Sequence, residues 1–120
     1  MNSPARILLI DKAIDRKERI QALKGRGYAV FPALNREEAR SRCLRGGYDL
    51  IVVHADGDLD QAAQFCDDIR SQSPQQRLIL CCNGGASRDY AIGSDVPSVL
   101  QAVDSALNAN AKPADLASAA

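Results

Sequence analysis

The chain carries no excess charge of either sign, no long hydrophobic run and no paired-cysteine motif. Fifteen Lys and Arg balance fifteen Asp and Glu, so no global field draws it to nucleic acid or to an anionic membrane, and recognition must be local. No apolar stretch approaches the roughly 18 residues that a membrane helix needs. The start, Met1-Asn2-Ser3-Pro4-Ala5-Arg6, lacks the basic, apolar and small-residue sections of a secretory signal, which makes the cytoplasm the expected location. Cys43, Cys66, Cys81 and Cys82 show neither C-x-x-C spacing nor a disulfide framework, and cytosolic thiols are normally reduced. They are expected to be mostly small buried apolar residues.

What is present suits one globular domain. With 120 residues, 46% of them hydrophobic, the chain can bury roughly 65% of its unfolded surface around one core. The apolar run Arg6-Ile7-Leu8-Leu9-Ile10 reads as a parallel strand covered on both faces, with Asp11 at its carboxyl end. Asp15 and Glu18 have capping-box spacing for a helix with Ile20 and Leu23 on its apolar side, stopped by Gly25 and Gly27. Tyr28-Ala29-Val30-Phe31 forms a second strand ended by Pro32, which suits a sheet edge because proline donates nothing to the ladder.

A second helix begins at Asn35, with Glu38 in cap spacing and Ala39, Cys43 and Leu44 as its stripe, and Gly46-Gly47 releases the chain. Tyr48-Asp49-Leu50-Ile51-Val52-Val53-His54 is a third, buried strand that delivers its histidine to the mouth of the sheet. After the polar loop Ala55-Asp56-Gly57-Asp58, the residues Leu59, Ala62, Ala63, Cys66 and Ile69 recur at helical spacing up to Ser71. Arg77 to Cys82 is the fourth strand, Asn83 to Ser87 a mobile loop, and Tyr90-Ala91-Ile92 a short fifth strand. A last helix runs from Pro97 to about Asn108, with Leu100, Val103 and Leu107 inward. Residues 1–108 form the domain, and 109–120 an Ala-rich flexible tail.

Strands alternating with helices imply right-handed crossovers and a doubly wound parallel sheet, a flavodoxin-like α/β fold with five strands in the order 2-1-3-4-5. In such a sheet the functional crevice lies beyond the carboxyl ends of the strands, near the switch point. Asp11, His54 and Cys82 all lie there. Only seven residues separate Cys82 from Tyr90, whereas a parallel crossover ordinarily takes at least about 10–12. The helix between strands four and five is therefore expected to be missing or replaced by a loop, leaving sheet surface for a partner or a second copy to cover.

From Arg6 to Leu107 the pattern resembles the CheY-like receiver domains of bacterial response regulators, the phosphorylated modules of two-component signalling. The resemblance implies two acidic residues after the first strand, where this chain has Asp11 and Lys12. It implies a phosphoacceptor aspartate after the third strand, where His54 stands. A Thr or Ser at the end of the fourth strand is replaced by Cys82, and a lysine after the fifth by Gly93. Phosphoryl transfer to a carboxylate requires Mg²⁺, a hard cation wanting oxygen ligands, and Lys12 and His54 act against it. The resemblance thus implies an atypical pseudo-receiver, non-enzymatic and without cofactor, that signals through a protein partner independently of phosphorylation.

Phosphotransfer histidines usually project from exposed helices, so His54 is expected to be an inactive, hydrogen-bonded rim residue. Asp11, His54 and Cys82 offer the O, N and S ligands that Zn²⁺ accepts, and a small metal- or thiol-dependent sensor or enzyme centred on His54 and Cys82 is the alternative function. Cys81 and Cys82, adjacent on a strand, point to opposite faces and make a poor redox pair. Asp56, Asp58 and Asp60 imitate a calcium loop without its downstream glutamate, so a solvated loop is expected.

Overall fold

The computed structural model describes residues 4–82 and 91–111. Five strands, β1 (Arg6–Ile10), β2 (Ala29–Ala33), β3 (Leu50–Ala55), β4 (Leu78–Cys82) and β5 (Ala91–Gly93), form one sheet. Its order is β2-β1-β3-β4-β5, and every pairing is parallel. Among the described residues there are four helices: α1 (Arg16–Gly25), α2 (Arg36–Arg45), α3 (Leu59–Gln72) and α4 (Val96–Ala111). This is the doubly wound fold expected, with a helix after each of β1, β2, β3 and β5. The Asn83–Ser87 loop and the residues beyond Ala111 lie outside the described residues, while α4 continues three residues past the expected Asn108.

The alternation of side chains along each strand sorts the core into two layers. Ile7 and Leu9 of β1, with Leu50 and Val52 of β3 and Cys81 of β4, pack beneath α1 and α4 through Leu23, Val99 and Val103. Leu8 and Ile10, with Ile51, Val53 and Cys82, pack against α2 and α3 through Ala39, Cys43, Phe65 and Ile69. All six residues of β3 are buried, which is why its sequence runs apolar without alternation.

Three local expectations are corrected. Pro32 does not end β2. It pairs in register with Leu9, and the strand continues to Ala33, because on an edge strand the missing N–H can face away from the ladder. Leu44 is 55% exposed. It follows Cys43 by one position, about 100° around the helix from the buried stripe. The Asp15 side chain makes no cap at α1, since Arg19 takes its carboxylate. At α2 the cap holds: Asn35 Oδ1 accepts the Glu38 N–H at 2.7 Å.

Candidate functional site

The crevice beyond the carboxyl ends of β1 and β3 is built around Asp11, and the residue that organises it is Arg19. Asp11 leaves β1 on the face covered by α1 and is 2% exposed. One turn into α1, Arg19 occupies the position four residues before Leu23, where an apolar side chain would be expected to enter the core. It does enter, at 2% exposure. Its Nε donates to Asp11 Oδ2 at 2.7 Å and its Nη2 to Asp11 Oδ1 at 3.2 Å. Nη2 also donates to Asp15 Oδ1 at 2.7 Å, and Nη1 to the Ser94 carbonyl at 3.1 Å. Burial alone would lower the guanidinium's pKa, but its hydrogen bonds to Asp11 and Asp15, together with their negative charges, outweigh it and hold the group firmly cationic. In return the hydrogen bond from Arg19 holds the Asp15 carboxyl below its usual value.

Asp11 is thereby paired through both of its oxygens. Its Oδ1 also accepts the Ala13 N–H at 3.0 Å, so both oxygens are engaged by the protein itself. A metal ion approaching Asp11 would meet a buried guanidinium already bound there in the bidentate mode that arginine favours.

His54 lies one residue before the end of β3, and its side chain has no exposed surface. It is not the rim residue expected at the mouth of the sheet. Its Nδ1 stands 3.6 Å from Asp11 Oδ1, too far for a hydrogen bond. Among the described residues neither ring nitrogen has a hydrogen-bond partner, in contrast to the hydrogen-bonded histidine expected. Arg19 presents more donors and better reach, and takes the carboxylate for itself. A cavity of about 250 Å³ lies at the crevice, bounded by Asp11, Lys12, Leu34, Asn35, Arg36 and His54. Lys12 is exposed there.

Cys82 is separated from this group. It pairs with Ala55 and is 5% exposed in the layer under α2 and α3, on the opposite face from Asp11 and Arg19. Among the described residues no group of three His, Cys, Asp or Glu side chains could hold a metal ion. The Asp11, His54 and Cys82 trio is therefore not brought together. Cys81 faces the other layer, its Sγ donating to the Val53 carbonyl at 3.6 Å. Burial pushes its thiol up to about 12 and that of Cys66 to about 11, so neither is a ready nucleophile.

Gly93 ends β5 opposite Cys82. The next residue, Ser94, gives its N–H to the Cys82 carbonyl and its carbonyl to Arg19. The cation that reaches this end of the sheet thus comes from α1. Asp58, in the loop read as solvated, is tied to Arg36 at 2.6 Å and accepts the Asp56 N–H. Desolvation alone would raise its carboxyl, but the Arg36 hydrogen bond, the Asp56 N–H and the charges of Arg36 and Lys12 together hold it below the ordinary value. Sequence reasoning passed over Arg19 because a charged residue on a helix is read as solvated. The available signal was its spacing: four residues from Asp15 on one side and four from Leu23 on the other.

No family model and no curated protein sequence matches the chain. Solved structures do. A CheY-like receiver domain protein from Methanospirillum hungatei is 17% identical with a TM-score of 0.75, covering 92% of this chain and 99% of its own. The response regulator TrrA of Thermotoga maritima, solved with Mg²⁺ and BeF, is 22% identical with a TM-score of 0.74, over 86% of this chain and 99% of its own. A chain from the complex of histidine kinase ThkA with TrrA is 22% identical with a TM-score of 0.70, over 86% and 98%. At the carboxyl end of a five-stranded sheet ordered 2-1-3-4-5, with Asp11 after β1 and His54 near the end of β3, this chain has the fold of the response-regulator receiver domains.

Proposed function

We propose that the chain is a phosphorylation-independent receiver-like module that acts by binding a protein partner in a two-component-type system. The observation that carries this reading is the bidentate pairing of Arg19 with Asp11, the one carboxylate kept of the acidic set that the receiver resemblance implies. A receiver's metal ion brings positive charge and oxygen coordination to the crevice. Here a covalently attached cation neutralises the same carboxylate, an imidazole stands in place of the acceptor, and Gly93 supplies no ammonium. In this reading the crevice takes no chemical input.

Such a module can still present a surface. Ile14, in the segment between β1 and α1, is 98% exposed, and Leu34, after β2, is 52% exposed. These apolar side chains follow neighbouring strands and suit a protein partner better than a nucleic acid or an anionic membrane. TrrA is held by a histidine kinase in one of the structures above, and a signalling protein of that kind, or a second copy of the chain, is the partner that this reading takes. No helix of the described residues is long and apolar enough to cross a membrane. A cytoplasmic, non-enzymatic role completes the proposal.

The test is intact-mass measurement after incubation with acetyl phosphate and Mg²⁺. Wild type is expected to gain no phosphoryl group. The variant with Lys12→Asp and His54→Asp restores two carboxylates but keeps Arg19 on Asp11, and is expected to acquire Mg²⁺ affinity only when Arg19→Gln is added. Robust Mg²⁺-dependent phosphorylation of the wild type would sink the reading.

A further inference from the structure

A second concavity, of about 450 Å³, lies away from the crevice, between the edge strand β2 and the last turn of α2. It is lined by Arg6, Arg42 and Arg45 together with Phe31, Pro32 and Tyr48. The three arginines come from two elements of the fold, the first residue of β1 and the end of α2. Cationic side chains in a last helical turn ordinarily complement the helix dipole, which accounts for Arg42 and Arg45 by themselves. It does not account for Arg6, which is brought to the same groove by the sheet.

Arg6 is held in place. Its guanidinium lies 4.8 Å from the centre of the Phe31 ring and 5.3 Å from that of Tyr48, and the two rings meet edge to face at 5.7 Å. Gly47, at φ +94°, passes so close that a Cβ there would lie 3.3 Å from Arg6 Nη1. A guanidinium held against aromatic rings by cation–π attraction still has its N–H donors, which lie in its own plane, to offer to an anion. Arg42 uses one donor on the Pro32 carbonyl at 3.0 Å. Asp49 spends its carboxylate on the Arg6 backbone N–H at 2.7 Å.

None of these three arginines forms an ion pair among the described residues, whereas Arg19, Arg26, Arg36, Arg40 and Arg70 all do. In a chain whose charges sum to zero, unneutralised guanidinium groups are thus gathered around one small concavity with an aromatic wall. We propose that this groove binds the phosphate groups of a small phosphorylated molecule. Guanidinium forks match phosphate oxygens in pairs, and the volume falls in the range of small-ligand sites. The positive region is confined to one groove, where a polynucleotide would need an extended basic surface. The site is independent of the Asp11 crevice and stands or falls separately from the function proposed above.

Calorimetric titration of the full chain with pyrophosphate, and separately with ADP, tests the assignment. Pyrophosphate is expected to bind with a dissociation constant of about 1 mM or tighter at low salt and to weaken as salt is raised. Arg45→Gln and Arg6→Met are each expected to weaken it by about fivefold to tenfold, and the pair to abolish it. Arg16→Gln, a change of the same charge on α1, should leave it unaltered, and the thermal midpoint of Arg45→Gln should match wild type. Equal affinity for the two probes assigns recognition to the phosphates alone, and tighter ADP binding adds the aromatic wall to the site. The proposal is overturned by absence of binding for both probes, or by binding that survives the double substitution. It is equally overturned if an oligoglutamate peptide or a single-stranded oligonucleotide binds through the same arginines more tightly than either probe.

Discussion

At the carboxyl end of the sheet one guanidinium is sealed at 2% exposure against two carboxylates and a carbonyl. Beside the last turn of α2 three others are left without a carboxylate among the described residues. The side-chain chemistry is the same in both places, and what differs is the company it keeps. Removing a cation from water costs several kcal/mol, which is recovered only with close partners, so Arg19 is a structural charge. Arg6 stays exposed, with its guanidinium against the Phe31 and Tyr48 rings and no carboxylate paired to it among the described residues. A charge becomes available for recognition where the fold declines to neutralise it.

The comparison is broken most directly at Arg19. Arg19→Leu leaves Asp11 buried without its cation and is expected to cost about 3–5 kcal/mol in urea unfolding. Adding Asp11→Asn should return part of that loss, since the stranded charge is then gone. If Arg19→Leu were as stable as wild type, the guanidinium would not be the partner that Asp11 depends on.

The opposite case is His54, a buried polar group beside the same carboxylate without a hydrogen-bond partner among the described residues. Replacing an unsatisfied buried group by an apolar one of similar size is expected to be neutral or stabilising. His54→Leu should therefore gain about 1 kcal/mol in the same unfolding experiment. A loss of stability would mean that the imidazole has a partner in solution.

The Arg36–Asp58 pair, whose side chains are 26% and 22% exposed, lies between the two extremes and should give the smallest effect. Asp58→Asn is expected to cost about 0.5–1 kcal/mol at neutral pH, discounted for screening. Because the folded state holds the Asp58 carboxyl below its ordinary 3.8, the contribution is present above that pH and is lost as pH falls through the lowered folded value. Wild type and variant should therefore converge in stability below about pH 4. Curves that stay parallel down to acid would show that the pair is not formed.

Much of the fold was legible because burial on both faces leaves a plain trace. Ile7 to Ile10 and Leu50 to Val53 are continuous apolar runs, and each became a central strand. The short link from Cys82 to the fifth strand was legible by length alone, and four helices are what the described residues hold. The helices were read less well, since α1 and α2 are rich in charge and bury few side chains. Leu44 was placed inward on hydrophobicity when its angular position turned it out. Asp11, His54 and Cys82 were read together at the carboxyl ends of the strands, and the first two meet there at 3.6 Å; their surroundings were not legible, because periodicity reports which residues are apolar and not which charges find partners. Cys82 was grouped with them by sequence position at a strand end, while strand alternation sent it to the other layer.

The bond from Arg19 to the Ser94 carbonyl joins residues 75 positions apart, and this has a consequence for the order of assembly. As the chain emerges from its N-terminus, α1 and β1 can pair Arg19 with Asp11 and Asp15 early, within a short loop. The last acceptor arrives only when β5 has been made and has docked. Until then Nη1 of the paired guanidinium is left to water, which opposes premature burial of that face of α1 against other apolar surfaces. The same side chain that closes the finished domain therefore keeps the unfinished one open.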